Sequence, residues 1–369
     1  MSGYLTNRYR DLTAYVPGEQ PPAGMKVIKL NTNESPYPPA PKVLKAAEEA
    51  AGKLNLYPDP NQNALRRALA ESLKEEAGDS GFVPKPENIF ISNGSDDILN
   101  FAFGAFSDSD VPAVFPDVTY GFYTVFGDLY GTPYKEIPLK DDWTVDTKDY
   151  AAECAEGRRL VVIAEPNAPT GITLGKEGIR RLLEGCRNSV VVVDEAYVDF
   201  GAETSLGLLA EFDNLVICRT FSKSYSLAGA RLGFAVAHEA LIKDLELIKY
   251  STNPYSVNRM TEAAGLAAVE EKDYYMANCA KIAATRGRVT EELRALGMEV
   301  LPSKANFVFA RHPEVSGEAL AQGLREKGII VRRFSKERIR NYLRITIGTD
   351  EQMDALVKAL NELLKGERR

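Results

Sequence analysis

Five short runs of β-branched and aliphatic residues between positions 85 and 237 constrain this chain more than anything else in it. They are Asn88-Ile-Phe-Ile-Ser, Ala113-Val-Phe-Pro, Leu160-Val-Val-Ile-Ala, Val190-Val-Val-Val-Asp and Leu215-Val-Ile-Cys-Arg. A strand with one wet face alternates apolar and polar residues; continuous apolar runs mark strands covered on both faces. Stretches with helical periodicity lie among them, at 96–106, 120–130, 176–186 and 239–250. Strands joined by helical crossovers form a mostly parallel sheet with helices on both sides, an α/β architecture. In such sheets ligands bind beyond the carboxyl ends of the strands. That rule selects 93–97, 165–171, 194–197 and 220–223 as candidate site segments.

A long polar-faced helix over 272–296 leads into a different region. There Asn306-Phe-Val-Phe-Ala, Ile329-Ile-Val-Arg and Tyr342-Leu-Arg-Ile-Thr-Ile alternate with helical patterns at 316–327 and 350–364. These read as a smaller α+β domain, joined by the N-terminal thirty residues. The expected division is a large domain over 31–270 and a small one from 1–30 with 271–369. The segment Asn33-Glu-Ser-Pro-Tyr-Pro-Pro-Ala-Pro cannot be a regular element, because proline removes donors and fixes φ. It is expected at the mouth of the site.

The bulk properties exclude several function classes. A formal charge of -7 without basic runs argues against nucleic acid or anionic membrane as the main partner. No apolar stretch reaches the ~20 residues of a spanning helix, and the first residues lack the apolar core of a secretory signal. A cytoplasmic location is expected. Cys154, Cys186, Cys218 and Cys279 show no metal or disulfide spacing, and two histidines leave little material for a metal centre. No strand is followed by G-x-G-x-x-G, which argues against a nicotinamide oxidoreductase.

Chemistry concentrates in Thr220-Phe-Ser-Lys223-Ser-Tyr-Ser-Leu-Ala-Gly-Ala-Arg231-Leu-Gly-Phe. The lysine amine can condense with an aldehyde cofactor while Ser222 and Arg231 hold that cofactor's phosphate. Ser92-Asn-Gly94-Ser95-Asp96 joins a strand to a helix, so N–H groups at the helix start can face an anion with the dipole in favour. Ser95 and Asp96 are expected to cap that helix as well. Val190-Val-Val-Val-Asp194-Glu-Ala-Tyr197 puts an acid at the end of a buried strand.

Together these segments resemble the class I/II aminotransferases, the fold-type I enzymes that use pyridoxal 5'-phosphate. The matching motifs follow the family's order and cover most of residues 15 to 349. The resemblance implies an amino donor, a 2-oxo acid and a homodimer. It assigns Lys223 to the aldehyde and to the Cα proton. Asp194 falls to the pyridine nitrogen, which a carboxylate keeps protonated. Tyr197 falls to the ring oxygen, as does Asn167 in Glu165-Pro-Asn167-Ala-Pro-Thr-Gly171. That loop departs from the commoner family pattern at Glu165 and Ala168, which bears on how it packs. Gly94, Ser95, Asp96, Ser222 and Arg231 match the phosphate cup. Tyr120 in Val118-Thr-Tyr120-Gly-Phe-Tyr matches the stacking aromatic, with Tyr123 left to the core. Tyr57 in Asn55-Leu-Tyr57-Pro-Asp-Pro matches a tyrosine that reaches the neighbouring subunit's phosphate.

Within the family the pattern is most similar to the histidinol-phosphate aminotransferases, through Leu30-Asn-Thr-Asn33-Glu-Ser-Pro-Tyr, Pro254-Tyr-Ser-Val-Asn and Gly328-Ile-Ile-Val-Arg332. That likeness implies L-histidinol phosphate as donor, 2-oxoglutarate as acceptor and a place in histidine biosynthesis. It puts Tyr15, Asn33, Arg332 and Arg344 around the substrate, Arg344 on a carboxylate and Arg332 on the phosphate. Arg333 leaves the register open by one residue, since a strand points neighbours to opposite faces. An aromatic amino acid aminotransferase or a decarboxylase acting on threonine phosphate shares nearly all these residues. A non-catalytic, cofactor-binding regulator needs a DNA-binding module, for which the residues before Asn33 are too few.

Overall fold

The computed structural model of the protein describes residues 3–22 and 24–366. Strand β1 (Ile28–Leu30) belongs to the smaller of two sheets. Strands β2 (Ile89–Ser92), β3 (Ala113–Pro116), β4 (Tyr134–Ile137), β5 (Leu160–Ala164), β6 (Val190–Asp194), β7 (Leu215–Thr220) and β8 (Gly233–Ala237) form the larger, in the order β2-β8-β7-β6-β5-β3-β4. Within it β8 runs antiparallel to both neighbours, and the pairs from β7 to β4 are parallel. Strands β9 (Glu299–Val300), β10 (Phe307–Arg311), β11 (Ile329–Arg333) and β12 (Leu343–Thr346) complete the small sheet, ordered β1-β11-β12-β10-β9.

The apolar runs explain the layering. Val161, Ile163, Val191, Val193 and Ile217 enter one buried cluster, and Leu160, Val162, Val192 and Val216 enter the other. Alternate residues thus go to opposite faces, and helices cover both. Burying one such side chain contributes about 1.5–3 kcal/mol, so neither face leaves room for polar residues. The small sheet has its own core, where Leu30, Val308, Ile329, Leu343 and Ile345 meet Ile282, Val289 and Leu293 of the helix Lys272–Ala295.

Strands β4 and β8 were not among the expected five. On β4, at the sheet edge, Lys135 and Glu136 face solvent and break the apolar run. β8 begins two residues after Arg231, at the end of the segment that carries Lys223. Because β8 is antiparallel, its amino end lies where the carboxyl ends of β6 and β7 lie. Among the described residues no helix is long and apolar enough to cross a membrane.

Candidate functional site

The carboxyl edge of the large sheet is where the polar side chains converge. Ser95, Asp96, Tyr120, Asp194, Tyr197, Ser222, Lys223 and Arg231 all border one cavity. The Lys223 loop is fixed by its own backbone. Phe221 N–H donates to Leu232 O at 2.9 Å, and Leu227 N–H to Phe221 O at 3.0 Å. Phe221, Tyr225 and Leu227 are buried, anchoring the loop from below while Lys223 is turned into the cavity. Ser226 and Arg231 take φ of 54° and 56°, which closes the loop tightly at a conformational cost for residues with a Cβ.

Lys223 Nζ donates to Thr32 O at 3.2 Å and stands 6.0 Å from the Tyr197 ring centroid. Burial, with the Arg344 guanidinium adding to it, lowers its ammonium to about 8. Asp194 is 6% exposed, at the end of β6. Its carboxylate accepts from Tyr123 Oη at 3.1 Å and from the Ala196 N–H at 3.2 Å. Burial pushes this acid up to about 7. It has hydrogen-bond donors but no cation within ion-pair distance among the described residues.

The anion end is built differently from the expectation. The helix Ser95–Phe106 is capped by Gly94 at φ 88°, and no side chain caps it. Asp96 instead joins two site residues: Tyr120 Oη donates to it at 2.8 Å and Arg231 Nη2 at 3.0 Å. Arg231 Nη1 also reaches Ser222 Oγ at 3.4 Å. A Cβ on Gly94 would come within 2.7 Å of Arg231 Nη2, and one on Gly233 within 2.5 Å of the Ser95 nitrogen. The two glycines keep this cradle open.

A second cavity of about 260 Å³ adjoins the first, sharing Tyr120 and Ala168 with it. Tyr15, Arg332, Phe334 and Arg344 border it. Tyr15 stacks on Phe122 at 4.2 Å. Arg332 and Arg344 are direct partners across the β11–β12 pair, so both guanidiniums leave the sheet on one face. Arg332 donates to Val16 O at 3.2 Å, whereas Arg333 reaches Glu318 at 3.6 Å; Arg332 is therefore the one beside the cavity. Arg344 donates to Asn31 O at 3.1 Å, and its buried Nε has no partner among the described residues.

Three residues named from the sequence border neither cavity. Asn33 borders neither cavity; its Nδ2 donates to Tyr197 Oη at 2.9 Å and its Oδ1 accepts from Thr346 at 3.1 Å. It holds Tyr197 in place. Asn167 donates to Val118 O at 3.0 Å and Thr170 Oγ1 at 2.9 Å and accepts from Thr119 at 2.9 Å, so its amide is spent inside the loops. Tyr57 is 76% exposed and stacked on Tyr255 at 4.6 Å, and it borders neither cavity of this chain. Conversely Tyr123, assigned to the core, is buried there but also grips Asp194. Tyr120 lies just before the helix Phe122–Tyr130 and Tyr123 in its first turn, and their rings meet edge to face at 5.8 Å. Glu165 has an internal role too, accepting from the N–H groups of Leu174 at 2.8 Å and Gly175 at 3.2 Å.

The donor set fits pyridoxal phosphate. It offers an acid without a cation for a ring nitrogen, a depressed amine for an aldehyde, and a glycine-lined helix start with Arg231 and Ser222 for a phosphate. Gly94→Ala is expected to weaken pyridoxal phosphate binding about tenfold, some 1.4 kcal/mol. The added methyl displaces Arg231 and is strained at positive φ. Absorbance titration of the cofactor-free protein measures this, and an unchanged dissociation constant would remove Gly94 from the cradle.

Comparison with known proteins points the same way. Residues 25–360 match the family model for aminotransferase class I and II. The chain is 46% identical over 367 residues to histidinol-phosphate aminotransferase 2 of Dechloromonas aromatica, covering 98% of this chain and 99% of that one. It is 47% identical to the histidinol-phosphate aminotransferase of Acetobacter pasteurianus, covering 99% of each. The crystal structure of histidinol-phosphate aminotransferase from Sinorhizobium meliloti, in complex with pyridoxal-5'-phosphate, superposes with a TM-score of 0.87 at 27% identity, covering 100% of this chain and 99% of that one.

Proposed function

The chain belongs to the class I and II aminotransferase family, and from that premise we propose that it moves the amino group of L-histidinol phosphate to 2-oxoglutarate, giving imidazole acetol phosphate and glutamate. The cofactor is pyridoxal 5'-phosphate, held through Asp194, the Gly94–Asp96 cradle, Ser222 and Arg231. When bound it supplies an aldehyde for the donor's amine and a ring that accepts the electron pair left at Cα. Lys223 Nζ is the base for the Cα proton. Its lowered ammonium raises the neutral fraction near neutral pH, where an ordinary lysine amine is almost wholly charged. Asp194 holds a proton at the ring nitrogen; Tyr120 packs at the junction of the two cavities; Tyr197, fixed by Asn33, closes the far side. The active unit is a homodimer, in which Tyr57 completes the neighbouring subunit's phosphate site.

One observation carries the substrate reading: the side-by-side guanidiniums of Arg332 and Arg344 on the cavity next to Lys223. A transaminase takes its two substrates in turn at one site. Here both are dianions, a phosphate monoester first and a dicarboxylate second. Paired arginines suit each, since a guanidinium fork matches phosphate and carboxylate oxygens alike. Phenylalanine carries only one singly charged carboxylate in place of these dianions.

The test is single-turnover absorbance with histidinol phosphate, phenylalanine and threonine phosphate on the loaded enzyme. Histidinol phosphate is expected to discharge the visible band fastest, and equal rates with phenylalanine would reject the assignment. Arg332→Met is expected to raise KM for histidinol phosphate about 10- to 150-fold, the range for one charge-assisted hydrogen bond of roughly 1.5–3 kcal/mol. The KM for phenylalanine should stay within about threefold.

A further inference from the structure

Lys249, in the helix Glu239–Thr252, is 3% exposed and borders neither cavity. Its Nζ donates to Gln62 Oε1 at 2.9 Å, to Ile91 O at 3.1 Å and to Pro60 O at 3.4 Å. An ammonium has three donors, and all three are used. Burying a charge is costly unless it is fully hydrogen-bonded, and a methionine would fill the same volume without that cost. The convergence of three oxygens therefore points to a job beyond filling space.

The oxygens come from two segments far apart in sequence. Pro60 and Gln62 lie in the turn that follows Tyr57. Gln62 sits there at φ 47° with its Nε2 on Asp59 O at 2.6 Å, and Tyr250 Oη adds a bond to Asn61 at 2.6 Å. Ile91 is in β2, the edge strand that delivers Gly94 and Ser95. One ammonium thus ties the Tyr57 loop to the strand that places the cradle. Burial lowers it to about 8, so it stays charged at neutral pH.

We propose that Lys249 is a positioning residue that sets the Tyr57 loop against the Gly94–Ser95 cradle, so that one buried cation aligns both phosphate-binding contributions of a subunit, its own and the one it lends. This rests on the reading above, in which the cradle takes the cofactor phosphate and Tyr57 completes the neighbour's site.

The test is a double-mutant cycle on the dissociation constant of pyridoxal phosphate, with wild type, Lys249→Met, Tyr57→Phe and the double variant. Lys249→Met is expected to weaken binding about tenfold or more, the scale of one or two lost charged hydrogen bonds. Tyr57→Phe should weaken it several-fold alone but less than about twofold on the Lys249→Met background, because a loop already released has little left to lose. Additive effects would overturn the proposal, since a lysine that merely supports the fold leaves the Tyr57 contribution intact. Gln62→Ala, which keeps the ammonium and two of its acceptors, serves if Lys249→Met does not fold. It should weaken binding about threefold with the same dependence on Tyr57, and additivity there is equally fatal. A Tyr57→Phe single variant that binds like wild type refutes the shared-phosphate reading itself.

Discussion

Lys223→Ala is expected to lower turnover by about 10³-fold or more and to abolish the visible absorbance of the loaded enzyme. Positioned proton transfer alone contributes roughly 10²- to 10⁴-fold, and this variant also loses the amine proposed to hold the cofactor covalently. Retained cofactor phosphate binding with lost turnover is the informative pattern, because Ser95, Ser222 and Arg231 remain in place. Stability supplies a separate readout. The folded protein holds the Lys223 ammonium at about 8 against an ordinary 10.5. A lowered base carries its penalty fully below the folded value and loses it as pH rises toward the unfolded one. In the cofactor-free proteins, Lys223→Ala should therefore gain most relative to wild type below pH 8, and the difference should shrink between about pH 8 and 10.5. Chemical denaturation across that range checks the sign. A variant that turns over within tenfold of wild type would remove Lys223 from the chemistry.

Much of this site was legible because its residues follow strands whose apolar runs are unmistakable. Asp194 and Lys223 each come at or just after the end of a buried strand, and such positions open onto the carboxyl edge whatever the rest of the chain does. Arg231 was readable as a residue type, but its route to the site was not. It depends on β8 running backwards, which pairing partners decide and local sequence does not. Asn33 and Asn167 matched motifs by position, yet an asparagine's four hydrogen-bonding sites can be consumed by whatever surrounds it. Here Tyr197 and Thr346 take two of Asn33's, and Thr119, Val118 and Thr170 take three of Asn167's, including both of its N–H donors. Tyr123 was hidden for the converse reason, since an apolar ring in a buried helix looks the same with or without a hydroxyl aimed at a carboxylate. The choice between Arg332 and Arg333 needed only strand phase, but phase is fixed by the register with Arg344 across β11 and β12, a long-range fact.

Asp194→Asn is expected to cut turnover about 10³-fold while changing the dissociation constant for pyridoxal phosphate less than about tenfold. The substitution keeps size and shape, and the phosphate cradle is untouched. What it removes is a negative charge in a desolvated place, where one misassigned polar group costs about 10²- to 10³-fold in rate. The geometry around the residue sharpens the expectation. Tyr123 Oη and the Ala196 N–H both donate to the carboxylate, so an asparagine amide must present a donor where only an acceptor is wanted, and the side chain loses its fixed orientation along with its charge. The pH behaviour of the cofactor-free protein gives an independent sign. Burial raises Asp194 from 3.8 to about 7. A raised acid favours the folded state when protonated, so that contribution is complete below about pH 4 and is lost as pH climbs through 7. Across that window wild type should lose stability relative to Asp194→Asn, by an amount on the order of 4 kcal/mol at its largest. Adding pyridoxal phosphate should reverse the trend in wild type alone, because a protonated ring nitrogen then gives the carboxylate its missing cation. Parallel pH curves for the two cofactor-free proteins, or turnover within tenfold of each other when loaded, would mean that the buried acid at the end of β6 does not serve the ring.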